Sequence, residues 1–402
     1  METRAPFWSK LAVAAILPVM IAMGCEPQQQ AQAGDQHLLR GGQEEFGHYN
    51  LVEDWPRPLS ESLDGDFDGY TWGSQAAIYA ESPDRIWVAQ RGLRELPPGN
   101  EPWTPGGLTD PPISGTGMDR TEYIIFALDG AGNVVEYWDQ HDELFEAPGV
   151  NSRGPHKIKM SPYDQDKHIW VIDDQLHVIY KFTYDGEHVM TLGEVGVPGR
   201  GPNNFARPTD IAWLPDGTFF ISDGYDGTRV AKFDPEGNFL MDWGEAPADP
   251  NNPGPNEWNT VHSIAISADR RIYVVDRAHR RMQVFDEDGN FLDMWSTGRY
   301  SLPYAHEITI DPVTGEEVIW VADGGTNRIL KYDLEGHFLY GWGLEGSDPG
   351  KFDGPHSLST DQEGNLFFAE VFNGRLQKFS PLSDADPSKL VGELLREYTP
   401  TQ

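Results

Sequence analysis

Three histidines stand at the heads of apolar segments of similar make: Gly154-Pro155-His156-Lys157-Ile158, Thr260-Val261-His262-Ser263-Ile264 and Gly354-Pro355-His356-Ser357-Leu358. Imidazole is a good ligand for borderline divalent metals, and three imidazoles around an open fourth position commonly hold a catalytic zinc. A fourth histidine, His306, follows Tyr304-Ala305 at a comparable place; it would be an additional ligand, a proton shuttle or a remnant of a repeat. Arg91, Arg277 and Tyr225 follow the polar ends of other apolar runs, after Gln90, Asp276 and Asp223-Gly224. Guanidinium groups take a carboxylate through paired hydrogen bonds. A phenol among cations is a candidate general base, because nearby positive charge favours the phenolate. Taken singly, a histidine at a strand start is more often an ordinary polar residue than a ligand, and an exposed arginine or tyrosine is more often surface. The recurrence of one residue type at one register gives the set its weight.

That register comes from an internal repeat. Apolar runs closed by a polar residue recur along the chain: Ile86-Trp87-Val88-Ala89-Gln90, Ile169-Trp170-Val171-Ile172-Asp173 and Phe219-Phe220-Ile221-Ser222-Asp223, then Ile272-Tyr273-Val274-Val275-Asp276, Ile319-Trp320-Val321-Ala322-Asp323 and Leu366-Phe367-Phe368-Ala369-Glu370. Their polar ends are 50, 53, 47 and 47 residues apart after the first interval of 83, which a Pro/Gly-rich insertion between about Leu96 and Thr121 enlarges. Five of the runs are followed by a strand ending in Phe or Tyr (Phe182, Phe233, Phe285, Tyr332 and Phe379), several then by a turn such as Asp234-Pro235-Glu236-Gly237 and a strand reaching Trp-Gly or Leu-Gly. Asp/Gly turns between short apolar strands are hairpin signals. Four short strands in about fifty residues make a propeller blade. The expected fold is therefore an all-β, six-bladed propeller with NHL-like repeats. The histidines head the innermost strands of blades two, four and six, about 120° apart around the channel, and the loops bearing Arg91, Tyr225 and Arg277 lie on the same rim.

Composition narrows the partners. Lys and Arg number 30 against 64 Asp and Glu, a net charge of −34. Such a surface repels nucleic acid and anionic membranes. A single cysteine excludes an internal disulfide and any site built from several thiolates. The chain opens with Arg4 and Lys10, then an apolar run from Leu11 to Met23, too short to span a bilayer comfortably, ending in Ala22-Met23-Gly24-Cys25. This predicts an export signal over residues 1–24, lipidation of Cys25 (the alternative being an ordinary secretory signal with an incidental cysteine) and a flexible, Gln-rich tether over 25–70. The propeller is expected over 71–380, with 381–402 as a tail or closing segment and the segment before Trp72 as the other source of the closing strand. The expected location is the bacterial cell envelope, on the periplasmic side of the outer membrane, as a monomer that meets the membrane only through its lipid.

The chain resembles the peptidyl-α-hydroxyglycine α-amidating lyases. The resemblance runs from about Trp72 to Phe379. It is clearest in Arg207-Pro208-Thr209-Asp210-Ile211-Ala212, Ile221-Ser222-Asp223-Gly224-Tyr225, Trp243-Gly244-Glu245, Val261-His262-Ser263-Ile264-Ala265, Val275-Asp276-Arg277 and Arg281-Met282-Gln283-Val284-Phe285. The resemblance implies that His156, His262 and His356 hold zinc, that Tyr225 is the catalytic tyrosine and that Arg91 and Arg277 are active-site arginines. It also implies a structural calcium on the carbonyls of Ile78 and Ile158 and on a carboxylate at position 357, where this chain has Ser357. The family's disulfide partner beside the tyrosine is Asp226 here, and a methionine of its pocket is Gly354. The expected activity is cleavage of the C–N bond of an α-hydroxyglycine derivative with a terminal carboxylate, giving an amide and glyoxylate. The alternatives are a non-catalytic binding propeller, which would hold no stoichiometric zinc, and a calcium-dependent propeller hydrolase, which would offer acidic and amide ligands rather than imidazoles.

Overall fold

The computed structural model of the protein describes residues 44–63, 69–95, 102–103, 108–109, 119–146 and 154–394. The expected export signal and Cys25 lie outside these residues. Six four-stranded antiparallel sheets form the six blades. Each of blades one to five runs from the channel outward in chain order, as in blade three with Pro208–Trp213, Phe219–Asp223, Arg229–Phe233 and Phe239–Trp243. Within the insertion of blade one, Pro102–Trp103 pairs with Leu108–Thr109 as a short ribbon.

The second strand of each blade is apolar along its whole length because it is covered on both faces. Side chains alternate across a strand, so in blade two Ile169 and Val171 pack toward blade one while Trp170 and Ile172 pack toward blade three. The same division makes six separate cores, one between each pair of neighbouring blades. Fully buried tryptophans anchor several of them, including Trp87, Trp258, Trp320 and Trp342. Truncating one to alanine should cost about 3–5 kcal/mol.

The polar residue that closes each run pins the loop that leads into the channel. Asp223 accepts the Ala206 N–H at 2.7 Å and the Arg229 Nε–H at 2.9 Å. Asp276 accepts from Asn259 and Arg281, and Glu370 from Asp353 and Arg375. Burial pushes Asp223 up to about 6 even though Arg229 opposes it. These carboxylates therefore fix where the innermost strand of their own blade begins, which is where the candidate site residues stand.

The propeller reaches further toward the N-terminus than the repeat suggests. Tyr49–Leu51 pairs antiparallel with Phe379–Pro381 and supplies the fourth strand of blade six. Trp55 is buried in the core between blades six and one. The expected tether boundary at residue 70 is thus too late, because the last three strands of the chain leave an open edge that needs a partner. At the other end, the Ile310 N–H donates to the Glu393 carbonyl at 3.0 Å, so part of 381–402 packs along blade five and does not close the ring.

Candidate metal centre

The innermost strands of all blades but the second contain one residue that the pairing ladder skips. The register shifts between Gln75 and Ala77, Pro208 and Asp210, Val261 and Ser263, Pro303 and Ala305, and Pro355 and Ser357. The bulged residues are therefore Ala76, Thr209, His262, Tyr304 and His356. In blade two, His156 immediately precedes the strand Lys157–Met160 and donates its N–H to the Ile172 carbonyl at 2.7 Å. A bulge re-aims a side chain out of the sheet; it turns His262 and His356 into the channel, and His156 joins them from the residue just before its strand.

The three rings meet. Their centroids are 4.9 Å apart for His156 and His262, 4.6 Å for His156 and His356, and 5.2 Å for His262 and His356. One nitrogen from each lies within 4.8 Å of the others. The remaining nitrogen, Nδ1, points in every case at a backbone carbonyl of the next blade: Thr209 at 2.7 Å from His156, Tyr304 at 2.5 Å from His262 and Ala76 at 2.9 Å from His356. A carbonyl only accepts, so Nδ1 must carry the proton and Nε2 must present its lone pair. The bulged residues of the three blades without a triad histidine are the acceptors for the three that have one. Burial, then the charges of Arg277 and His356, holds His262 well below the usual imidazole range, so it stays neutral. Three neutral, oriented imidazoles fit a divalent metal of the zinc type.

Tyr225 lies over this centre. Its hydroxyl is 2.9 Å from His262 Nε2 and 3.2 Å from His156 Nε2, and it accepts from Arg277 Nη1 at 3.3 Å. The Arg277 guanidinium carbon is 4.9 Å from the Tyr225 ring centroid and 5.3 Å from that of Tyr304. Arg91 is buried in blade one, beside the blades of His156 and His356 and two blades from Tyr225. It donates to Ser74 Oγ at 3.5 Å, and a Cβ on Gly154 would come within 3.1 Å of the Arg91 Cα. Only glycine allows this approach together with φ of +78°.

Two expected residues behave differently. His306 does not share the triad's register: blade five bulges at Tyr304, because its first hairpin is five residues longer than in blades three, four and six, where the bulged residue stands 14 before the polar end. His306 instead packs between blades four and five, bonded to Ser263 Oγ through its N–H at 3.2 Å and its Nδ1 at 3.0 Å. It is no metal ligand. The calcium positions do not fit a divalent ion either. Ser357 Oγ lies 3.5 Å from the Ile78 carbonyl and brings no charge. Below the triad stand two buried ammonium groups, with Lys157 Nζ 3.7 Å and Lys159 Nζ 3.0 Å from Asp210. Lys159 also reaches across the channel to Glu307 at 3.6 Å. Burial opposes the Lys159 cation, but Asp210 and Glu307 outweigh it and hold the group above the ordinary lysine range.

Tyr304 and Arg207 belong to the site and carry no assignment from the sequence. The Tyr304 ring is 5.7 Å from both His262 and His356. The Arg207 guanidinium carbon is 4.3 Å from the Tyr225 ring. Phe372 packs against Gly354, where a Cβ would meet its ring at 2.5 Å, so an aromatic ring covers the place of the related methionine.

The fold and site define a six-bladed β-propeller with a three-histidine centre at one mouth of its channel. A family model described as "6-bladed beta-propeller" matches residues 255–368. The resemblance to the amidating lyases holds. The chain is 29% identical over 258 residues to the peptidyl-glycine alpha-amidating monooxygenase A of Xenopus laevis, covering 62% of this chain and 27% of that protein. It is 36% identical over 228 residues to the probable peptidyl-alpha-hydroxyglycine alpha-amidating lyase of Caenorhabditis elegans, covering 56% of this chain and 55% of that one. The matches thus span about a quarter and about half the length of these relatives. Among solved structures, an auxiliary nutrient binding protein from Bacteroides thetaiotaomicron matches with a TM-score of 0.52 at 10% identity, over 83% of this chain and 76% of that one, and shows the fold alone.

Proposed function

We propose that the chain is a metal-dependent lyase that splits carboxylate-terminated α-hydroxyglycine derivatives into an amide and glyoxylate. The observation that carries this reading is the placement of Tyr225 Oη within hydrogen-bond reach of two triad Nε2 atoms and of Arg277. Zinc bound by His156, His262 and His356 would supply Lewis acidity toward a hydroxyl oxygen. Tyr225 is placed to take the proton of the carbinol hydroxyl. As that O–H bond breaks, the carbon–oxygen double bond forms, the C–N bond breaks, and its electron pair goes to nitrogen. The proton returns from Tyr225 to that nitrogen, completing the amide. Arg277, which has no carboxylate partner among its described contacts, takes the substrate carboxylate and steadies the tyrosine oxygen. An exported, lipid-anchored enzyme acting on small molecules or peptides agrees with the N-terminal segment and the acidic surface.

The test is glyoxylate release from an N-acyl-α-hydroxyglycine by zinc-loaded protein, with and without chelator. Release that the chelator abolishes supports the lyase. Bound metal without release would assign the centre to another reaction, and absence of both metal and release would leave a binding propeller.

A further inference from the structure

The tyrosine of the site sits on a loop tip, Gly224-Tyr225-Asp226-Gly227, with a glycine on each side. Such a tip leaves a phenol free to swing unless something holds it. Arg207 touches it through both its backbone and its side chain. Its carbonyl accepts the N–H groups of both Gly224, at 3.1 Å, and Tyr225, at 3.2 Å. Its guanidinium lies 4.3 Å from the Tyr225 ring centroid. Its Nε and Nη2 both bond Asp174 Oδ2, at 3.0 and 2.5 Å, on a carboxylate with no exposure to solvent. The arginine is itself fixed by its neighbour, since its N–H donates to His177 Nδ1 at 3.1 Å.

The backbone adds a second, independent sign. Arg207 has φ of +67°, a left-handed conformation that costs a non-glycine residue about 1 kcal/mol or more. The corresponding place two residues before the channel-facing residue is glycine in blades two and six, at Gly154 and Gly354. In blade three an arginine occupies it, and its side chain ends on the tyrosine. Asp226 lies 4.0 Å from Arg207 Nε, so the charge at that position joins the same clamp.

We propose that Arg207, anchored by Asp174, is a positioning residue for Tyr225. It stacks on the ring and holds the hydroxyl over the triad without touching the histidines. Stacking on an immobilised guanidinium removes ring rotation and keeps the oxygen within reacting distance. The kinetic part of the inference rests on the lyase reading, whereas the geometric part does not.

Protein labelled with 3-fluorotyrosine separates the two. The Tyr225 fluorine resonance is identified by its loss in Tyr225→Phe. In Arg207→Gln and Asp174→Asn that resonance should move toward the value of free fluorotyrosine, while the other resonances and the metal content stay as in the parent. In turnover, kcat should fall about ten-fold or more with KM within about two-fold, the mark of a lost transition-state alignment. Arg207→Lys keeps the charge and loses the planar contact, so it should recover part of the loss; it also serves as the probe if Arg207→Gln fails to fold. A Tyr225 resonance unchanged in all three variants overturns the proposal, as does an equal kcat loss from Arg207→Gln in a Tyr225→Phe background. A displaced resonance in a protein that releases no glyoxylate would uphold the positioning role and reject the lyase.

Discussion

The Tyr304 carbonyl stands 2.5 Å from His262 Nδ1, and it belongs to the residue that occupies in blade five the place His262 occupies in blade four. The blades that lack a channel histidine thereby hold the histidines of their neighbours. A missing imidazole is not replaced by this scheme, because each acceptor serves one ring. His262→Ala should therefore lower bound zinc from one ion per chain to none, while the β-sheet circular dichroism and the unfolding cooperativity persist. Retention of stoichiometric zinc, measured by elemental analysis after dialysis, would remove His262 from the centre.

Tyr225→Phe removes one oxygen and leaves the ring between its arginine neighbours. Zinc content should be unchanged and glyoxylate release should fall about 10²–10⁴-fold, the usual worth of a positioned acid–base group. A variant that keeps more than half its activity would show that the proton goes elsewhere.

Calcium should do nothing. Position 357 brings no carboxylate, and the channel below the triad already carries Lys157 and Lys159 against Asp210 and Glu307. A divalent ion there would face two ammonium groups at low dielectric. Thermal midpoints in added calcium and in a calcium-selective chelator should coincide. A midpoint several degrees higher with calcium would reveal a site that these lysines do not block. Breaking the network should matter more: Lys159→Met leaves Asp210 with one cation and should destabilise by about 3–5 kcal/mol.

His306 gives acid sensitivity. Burial, with Lys159 adding to it, pushes its imidazole down to about 3, against about 6.5 in an unfolded chain. Between these two values the unfolded chain binds a proton that the folded chain refuses. Folded stability attributable to this residue therefore falls by about 1.4 kcal/mol per pH unit as pH drops below 6.5, and does not change above it. Denaturant midpoints of His306→Asn should lie below the parent at neutral pH, through loss of the Ser263 bond, and converge on it as the solution is acidified. Parallel curves for the two proteins would exclude the residue as the titrating group.

The repeat was legible because the physics that makes it is local. A strand covered on both faces is largely apolar, and a carboxylate that reaches back to the loop entering the same blade closes it, so Asp173, Asp223, Asp276, Asp323 and Glu370 announce the blades. The triad was legible for the same reason, since counting back from those carboxylates reaches the bulge wherever the first hairpin is short. In blade five the longer hairpin displaced the count and pointed to His306 in place of Tyr304. The closing strand was hidden because Tyr49-Asn50-Leu51 has too few residues to show alternation, and its partner is at the far end of the chain. Arg207 was in view as part of Arg207-Pro208-Thr209, but a stacking role is a property of two loops from different positions in the sequence. A signal existed in its left-handed place, which the even-numbered blades fill with glycine or threonine.

The pairing of Leu51 with Phe379 joins residues more than three hundred positions apart. During synthesis the first piece of the ring to emerge is thus the last to find its partner, and until then the growing stack presents an unpaired strand edge and a bare blade face. Closure of the ring is consequently the last step, slow in the way long-range pairing is slow, and the incomplete ring is the species that chaperones would have to shield. The same connection sets where the finished molecule yields to load: a pull through the residues before Glu44 first meets the bridge of Glu44 to Trp342 on blade five and then the clasp strand, so the ring opens at its outer edge while the metal centre, on the inner strands, is the last part to feel it.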